Sequence, residues 1–223
     1  MNPNNKIPEF DIIVTTTDAP ESMWRRKRLM RYFAKAGMMR YEFDTEPVCT
    51  VSPLPQLPPG NYGCGKHLAN ILKRTADKNI IYFEDDAVVP PDFYERLNHH
   101  LARLPDDWDI FVAGYIWIWH TAAFEHVNED IITATCYAGH QCLVVRPGGW
   151  RIKFANDTAT HELYKHDPGG SDCCFAPWCK ENNVKHYLAA KSFVGQGGCI
   201  STIRHEFQEL IGIDPAIIQQ ILY

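Results

Sequence analysis

Three consecutive acids, Glu84-Asp85-Asp86, follow directly on the apolar run Ile80-Ile81-Tyr82-Phe83, and a fourth, Asp172, comes after Gly169-Gly170-Ser171. Side chains alternate along an extended segment, so Glu84 and Asp86 point one way and Asp85 the other. Two carboxylates on one side can share a hard divalent ion, which commonly completes its shell with substrate phosphates and water. Bridging a diphosphate, such an ion neutralises the charge that builds on a leaving group. The plain alternative is a surface turn of solvated acids, and the triplet alone does not decide between the two. Asp172, at the start of an expected helix, reads either as its N-terminal cap or as a base toward a hydroxyl.

Upstream, Gly60-Asn61-Tyr62-Gly63-Cys64-Gly65-Lys66-His67 reads as a glycine-rich loop feeding a helix over 65–76. Such a loop exposes backbone N–H groups where a helix N-terminus favours anions. Its spacing fits neither the phosphate loop of ATPases nor the dinucleotide fingerprint, so both classes lose support.

The elements that must position these groups are legible as apolar runs. Residues 10–14 and 79–83 are continuous and β-branched or aromatic, as buried strands are, and 108–112 is a third. Helices are expected over 20–37, over 65–76, after Pro90-Pro91 and over 171–182, with a helical tail over 206–222. Short strands are expected at 41–43 and 49–51, a proline-rich loop at 53–60, and a strand and turn over 184–194. Residues 131–137 and 141–145 look like two strands close enough to pair. Alternating strands and helices imply one α/β domain over 1–223, with a mostly parallel central sheet flanked by helices and a mixed edge. Residues 8–115 form its donor-binding half and 116–223 its acceptor half.

A net charge of −5 over 223 residues argues against wholesale nucleic-acid binding, which needs a basic footprint. The local run Arg25-Arg26-Lys27-Arg28 is read as a solvated helix face ahead of a phosphate or membrane patch. No signal peptide and no transmembrane run is evident, so the eight cysteines are read as free thiols in a reducing, cytoplasmic setting. Cys173, Cys174 and Cys179 lack a fourth partner at zinc spacing. The chain is also compatible with being part of a longer multidomain protein.

Residues 63–72, the strand with its triplet at 80–86, Asp92-Phe93 and Asp107-Trp108-Asp109-Ile110 resemble the ordered motifs of glycosyltransferase family 25. Residues 137–145, Asp172 and Gln196-Gly197 with Ser201 continue the series, which spans about 60–204. That family includes lipopolysaccharide-type sugar transferases and procollagen galactosyltransferases, and has the A-type glycosyltransferase fold. Asn70 also stands where the broader family 2 pattern has a donor-contacting residue. The family's Ser-His is replaced here by Lys66-His67.

The resemblance implies a hexose-type sugar transferred from a nucleotide sugar, of the UDP-sugar type, to a hydroxyl of a glycan or glycoprotein, with inversion. Glu84 and Asp86 would hold Mn2+ or Mg2+, Asp85 would lie nearer the ribose or sugar, and Asp172 would be the base. Thr15 and Thr16 would line the base pocket, Lys66 would meet a phosphate, and Asn70 would contact the donor. His205 and Gln196 are further metal or phosphate contacts. Tyr115, Trp117 and Trp119 either shape the acceptor site or form a plain buried strand. Two rival readings are a sugar-phosphate nucleotidyltransferase and a non-catalytic carbohydrate-binding domain.

Overall fold

The computed structural model describes residues 9–118, 123–165, 170–197, 199–200 and 207–208. In chain order the elements are β1 (Asp11–Thr17), α1 (Pro20–Lys35), β2 (Glu42–Glu46), α2 (Pro59–Arg74), β3 (Ile80–Glu84), β4 (Ala87–Val88), α3 (Phe93–Leu101) and β5 (Ile110–Gly114). There follow β6 (Trp117–Ile118), β7 (Phe124–His126), β8 (Ile131–Ala134), β9 (Tyr137–Ala138), β10 (Cys142–Val145), α4 (Trp150–Ala159), a 3-10 turn (Glu162–Lys165), α5 (Ser171–Glu181), β11 (His186–Ala189) and β12 (Gly195–Gln196).

Eight strands form one sheet in the order β2-β1-β3-β10-β5-β11-β8-β7. β10 and β8 run against the rest, so the sheet is mixed but points mainly one way. Alternation along each strand sends side chains into two cores. Ile13, Tyr82, Val112 and Leu143 face Leu68, Phe154 and Phe175 of α2, α4 and α5. Ile12, Val14, Phe83 and Phe111 face Leu29, Phe33 and Phe93 of α1 and α3. Burial on both faces explains why the central strands read as unbroken apolar runs.

Several expectations are corrected. Residues 131–134 and 142–145 do not pair: β10 inserts between β3 and β5 at the sheet centre, while β8 joins β11 near the edge. Cys142-Leu143-Val144-Val145 is fully buried, which suits a central position better than a hairpin edge. α2 begins at Pro59 and not near 65, so the glycine-rich segment is the first half of a helix and not a loop. Its glycines serve close approach: a Cβ on Gly63 would lie 2.5 Å from Cys49 Cβ, and one on Gly65 would meet Ser171 Cβ at 2.8 Å. Residues 49–51 are irregular, with β2 running to Glu46. α4 was not anticipated; it packs Phe154 and Ala155 onto α2 and α5. Phe207–Gln208 pairs with Cys199–Ile200 in place of opening a helix, because strand pairing satisfies its backbone groups. The rest of the expected tail, with Trp119, Gly169, Ser201, His205 and the side chain of Trp117, lies outside the described residues.

Candidate active site

The parallel strands β1 and β3 end side by side, with Thr15 in register with Glu84. Crevices outside the carboxyl ends of such strands are where open α/β sheets bind ligands. A cavity of about 330 Å³ opens there, lined among others by Thr15, Thr16, Lys66, Glu84, Asp85 and Asp86. That is at the lower end of the roughly 300–1,000 Å³ of small-molecule sites.

The three acids occupy unlike surroundings. Asp85 is buried; its Oδ2 accepts from Thr16 Oγ1 at 2.6 Å and its Oδ1 lies 3.2 Å from Arg25 Nε. Burial raises its pKa, opposed by Arg25 and by hydrogen bonds from Thr16 and Ser22, to about 6. Glu84 Oε2 accepts from Gln141 Nε2 at 3.0 Å, and Asp86 Oδ2 from Gln196 Nε2 at 2.9 Å. The second oxygen of Asp86, Oδ1, is buried without a hydrogen-bond partner. Burial first, then the charges of Asp86, Asp172 and Asp85, push Glu84 well above the usual carboxylate range, and the Gln141 bond only partly opposes them.

Chain geometry explains the two amides. β10 runs antiparallel beside β3, so Gln141 comes opposite Glu84, whose N–H donates to the Gln141 carbonyl at 3.3 Å. β12 pairs with β4 in a register that sets Gln196 opposite Ala87, next to Asp86. Gly139, at φ 91°, lets the chain turn between β9 and β10 where a side chain would strike Gln141. Its N–H donates to Asp172 Oδ2 at 2.8 Å, while Asp172 Oδ1 accepts from Cys173 N at 3.0 Å. Asp172 sits in the first turn of α5 behind Gly170, and the cap position itself belongs to that glycine. Asp172 is outside the cavity lining, but its charge reaches both Glu84 and Cys64.

The remaining expected contacts divide. Thr15 and Lys66 reach the cavity, with Lys66 exposed; Thr15 Oγ1 is 2.6 Å from His67 Nδ1, and His67 Nε2 is 3.1 Å from Asp44 Oδ2. Asn70 lies one turn further along α2, donates to Glu46 Oε1 at 3.0 Å, and does not line the cavity. Tyr115 is buried, with its hydroxyl donating to the Ala189 carbonyl at 3.0 Å, so it belongs to the core. Cys64 was not singled out by its sequence position. Its thiol opens on the cavity and is held neutral by desolvation and by the Glu84, Asp172, Asp86 and Asp85 charges. Gln141 and Arg25 were also missed as site residues; only the strand register and the packing of α1 bring them there.

Among the described residues no three His, Cys, Asp or Glu side chains converge as a ready metal cage. The donor set fits a hard cation all the same: two carboxylates, one with a free buried oxygen, beside a cavity that can admit phosphate and water. The glycine-rich segment is the first turns of α2 and not a separate anion-binding loop: from Tyr62 onward its amides bond within the helix, while those of Gly60 and Asn61 belong to the helix start, where Gly60 lines the cavity.

No protein-family model matches the chain, so the family 25 resemblance stands on its motifs alone. None of the curated proteins matches it in sequence. Among solved structures it is similar to the crystal structure of a glycosyltransferase involved in the glycosylation of the major capsid of PBCV-1, at 10% identity and a TM-score of 0.39, over 71% of this chain and 68% of that one.

Proposed function

We propose that the chain is a metal-dependent glycosyltransferase that takes a sugar from a nucleotide-sugar donor, of the UDP-sugar type, to a hydroxyl of a glycan or glycoprotein. The observation that carries this reading is the Glu84 and Asp86 pair at the cavity, whose carboxylates are bonded to amides and make no ion pair among the described residues. Carboxylates left unneutralised in a cleft mark functional sites more often than structural ones. Glu84 and Asp86 would hold Mn2+ or Mg2+. Such an ion, when bound, supplies electrostatic stabilisation to the departing diphosphate.

The chain's own residues do the rest. Lys66 offers a point charge at the cavity wall for a donor phosphate. Backbone N–H groups of Gly139 and Cys173 fix the Asp172 carboxylate. Asp172 takes the proton of the acceptor hydroxyl while that oxygen bonds to the anomeric carbon. The bond from that carbon to the diphosphate oxygen breaks on the opposite side, so configuration inverts and nucleoside diphosphate leaves. The glycosyltransferase motifs at 80–86 and at Asp172 support the same assignment.

The test is incubation with a panel of nucleotide sugars and manganese. Free nucleoside diphosphate should appear, and Glu84→Gln or Asp86→Asn should abolish it. Pyrophosphate released from a nucleoside triphosphate and a sugar phosphate would replace this reading with nucleotidyl transfer. Glycan binding without any donor turnover would replace it with a carbohydrate-binding domain.

A further inference from the structure

The basic run at the start of α1 is not a single patch. Arg25 is buried beside Asp85, Arg28 reaches the carbonyls of Gly197 and Asp86, and Arg26 lies over the Phe43 ring at 5.9 Å. What α1 turns outward is another set: Met23, Trp24, Lys27, Met30, Arg31 and Lys35. At 3.6 residues per turn these fall within an arc of roughly 140°. Ser22, Arg25, Leu29 and Phe33 occupy the opposite, buried side.

Two properties of that outer face need an explanation. Met23, Trp24 and Met30 are 58%, 57% and 44% exposed, a cluster of large apolar side chains on one helix side. Three of the six Lys and Arg residues of α1, Lys27, Arg31 and Lys35, lie on that face, and the sole acid of α1, Glu21, does not, in a chain whose net charge is −5. Among the described residues, Lys27, Arg31 and Lys35 make no ion pair.

We propose that the outer face of α1 docks on the surface of a bilayer carrying anionic lipid. An interfacial helix presents apolar side chains to the acyl boundary while Lys and Arg reach the headgroups, and Trp sits at that depth. A nucleic acid would use the cations but has no place for the methionines. Arg25, on the opposite side of the same helix, lines the cavity. Docking therefore holds the cavity within about 10–12 Å of the lipid, one helix diameter.

The experiment is co-sedimentation of the whole protein with phosphatidylcholine vesicles, with and without phosphatidylserine, over a range of salt. Pelleting is expected only with phosphatidylserine, weakening as salt rises. The pair Lys27→Glu and Arg31→Glu should cut partition by roughly tenfold or more. Trp24→Ser with Met30→Ser should also reduce it, with melting curves unchanged because these side chains are exposed. Equal pelleting with phosphatidylcholine alone, no pelleting with either vesicle, or full partition of both variant pairs would overturn the proposal. So would binding to single-stranded RNA in place of vesicles.

Discussion

Asp85 meets a hydroxyl and a guanidinium, while among the described residues the carboxylates on either side of it, Glu84 and Asp86, accept hydrogen bonds from the neutral amides of Gln141 and Gln196. All three line the cavity at the end of β3, but Asp85 is tied to α1 through Arg25, whereas the other two are bonded to amides. Residues 85–86 turn between β3 and β4, and the partners that each acid meets there set its surroundings. An acid matched by a buried cation is committed to the fold. A pair of acids opposed only by amides stays costly until a cation from outside arrives. The same contrast gives opposite signs to substitutions only a residue apart.

Asp85→Ala should show the largest effect on stability. Removing one partner of a buried ion pair leaves Arg25 uncompensated and costs about 3–5 kcal/mol. A denaturant titration measures it, and a cost near zero would dissolve the contrast. Asp172→Asn should cost about 1–3 kcal/mol of stability, because its NH2 faces one of the two backbone N–H donors, and should lower transfer by about 10²–10⁴-fold, the range for loss of a general base. Donor binding, followed by thermal shift, should survive that change.

Glu84→Gln should act in the reverse direction on the metal-free protein. The folded pKa of Glu84 lies well above its ordinary 4.5, so its stabilising protonated form is present below about 4.5 and is lost as pH rises through the folded value. The amide variant keeps its neutral form at every pH. It should therefore melt above the parent at neutral pH, by about 2–4 °C per kcal/mol released, with the gap closing as pH falls from the folded value toward about 4.5. A gap independent of pH would show that Glu84 feels no such repulsion. Asn70→Ala, on an exposed stretch of α2 bonded to Glu46, should be the smallest change, within about 0.5 kcal/mol and with no effect on donor affinity.

Much of this arrangement was legible in the chain. The apolar runs at 80–83 and 110–112 are strands because both faces are covered, and the acids follow where β3 leaves the core. Period-two reasoning expected Asp85 to point away from its neighbours; the chain turns at 85–86 and all three acids line the cavity, with Asp85 alone paired to Arg25. What the sequence concealed was non-local. Nothing near 141–145 announces insertion between β3 and β5, so Gln141 could not be paired with Glu84 in advance. Arg25 looked like one member of a solvated run until the packing of α1 put it against Asp85. The glycines of 60–65 suggested a loop, since glycine is a weak helix former. They are tolerated in α2 because Cys49, Tyr164 and Ser171 press too closely for side chains.

The central claim is that Glu84 and Asp86 await a divalent cation and a diphosphate together. Thermal melting in manganese, with and without a UDP-sugar, tests it most directly. The parent should gain stability from manganese, and more from manganese with the nucleotide sugar than from the two separate gains combined. Glu84→Gln and Asp86→Asn should lose both responses, while Asn70→Ala keeps them. An unchanged manganese response in the two carboxylate variants would contradict the account.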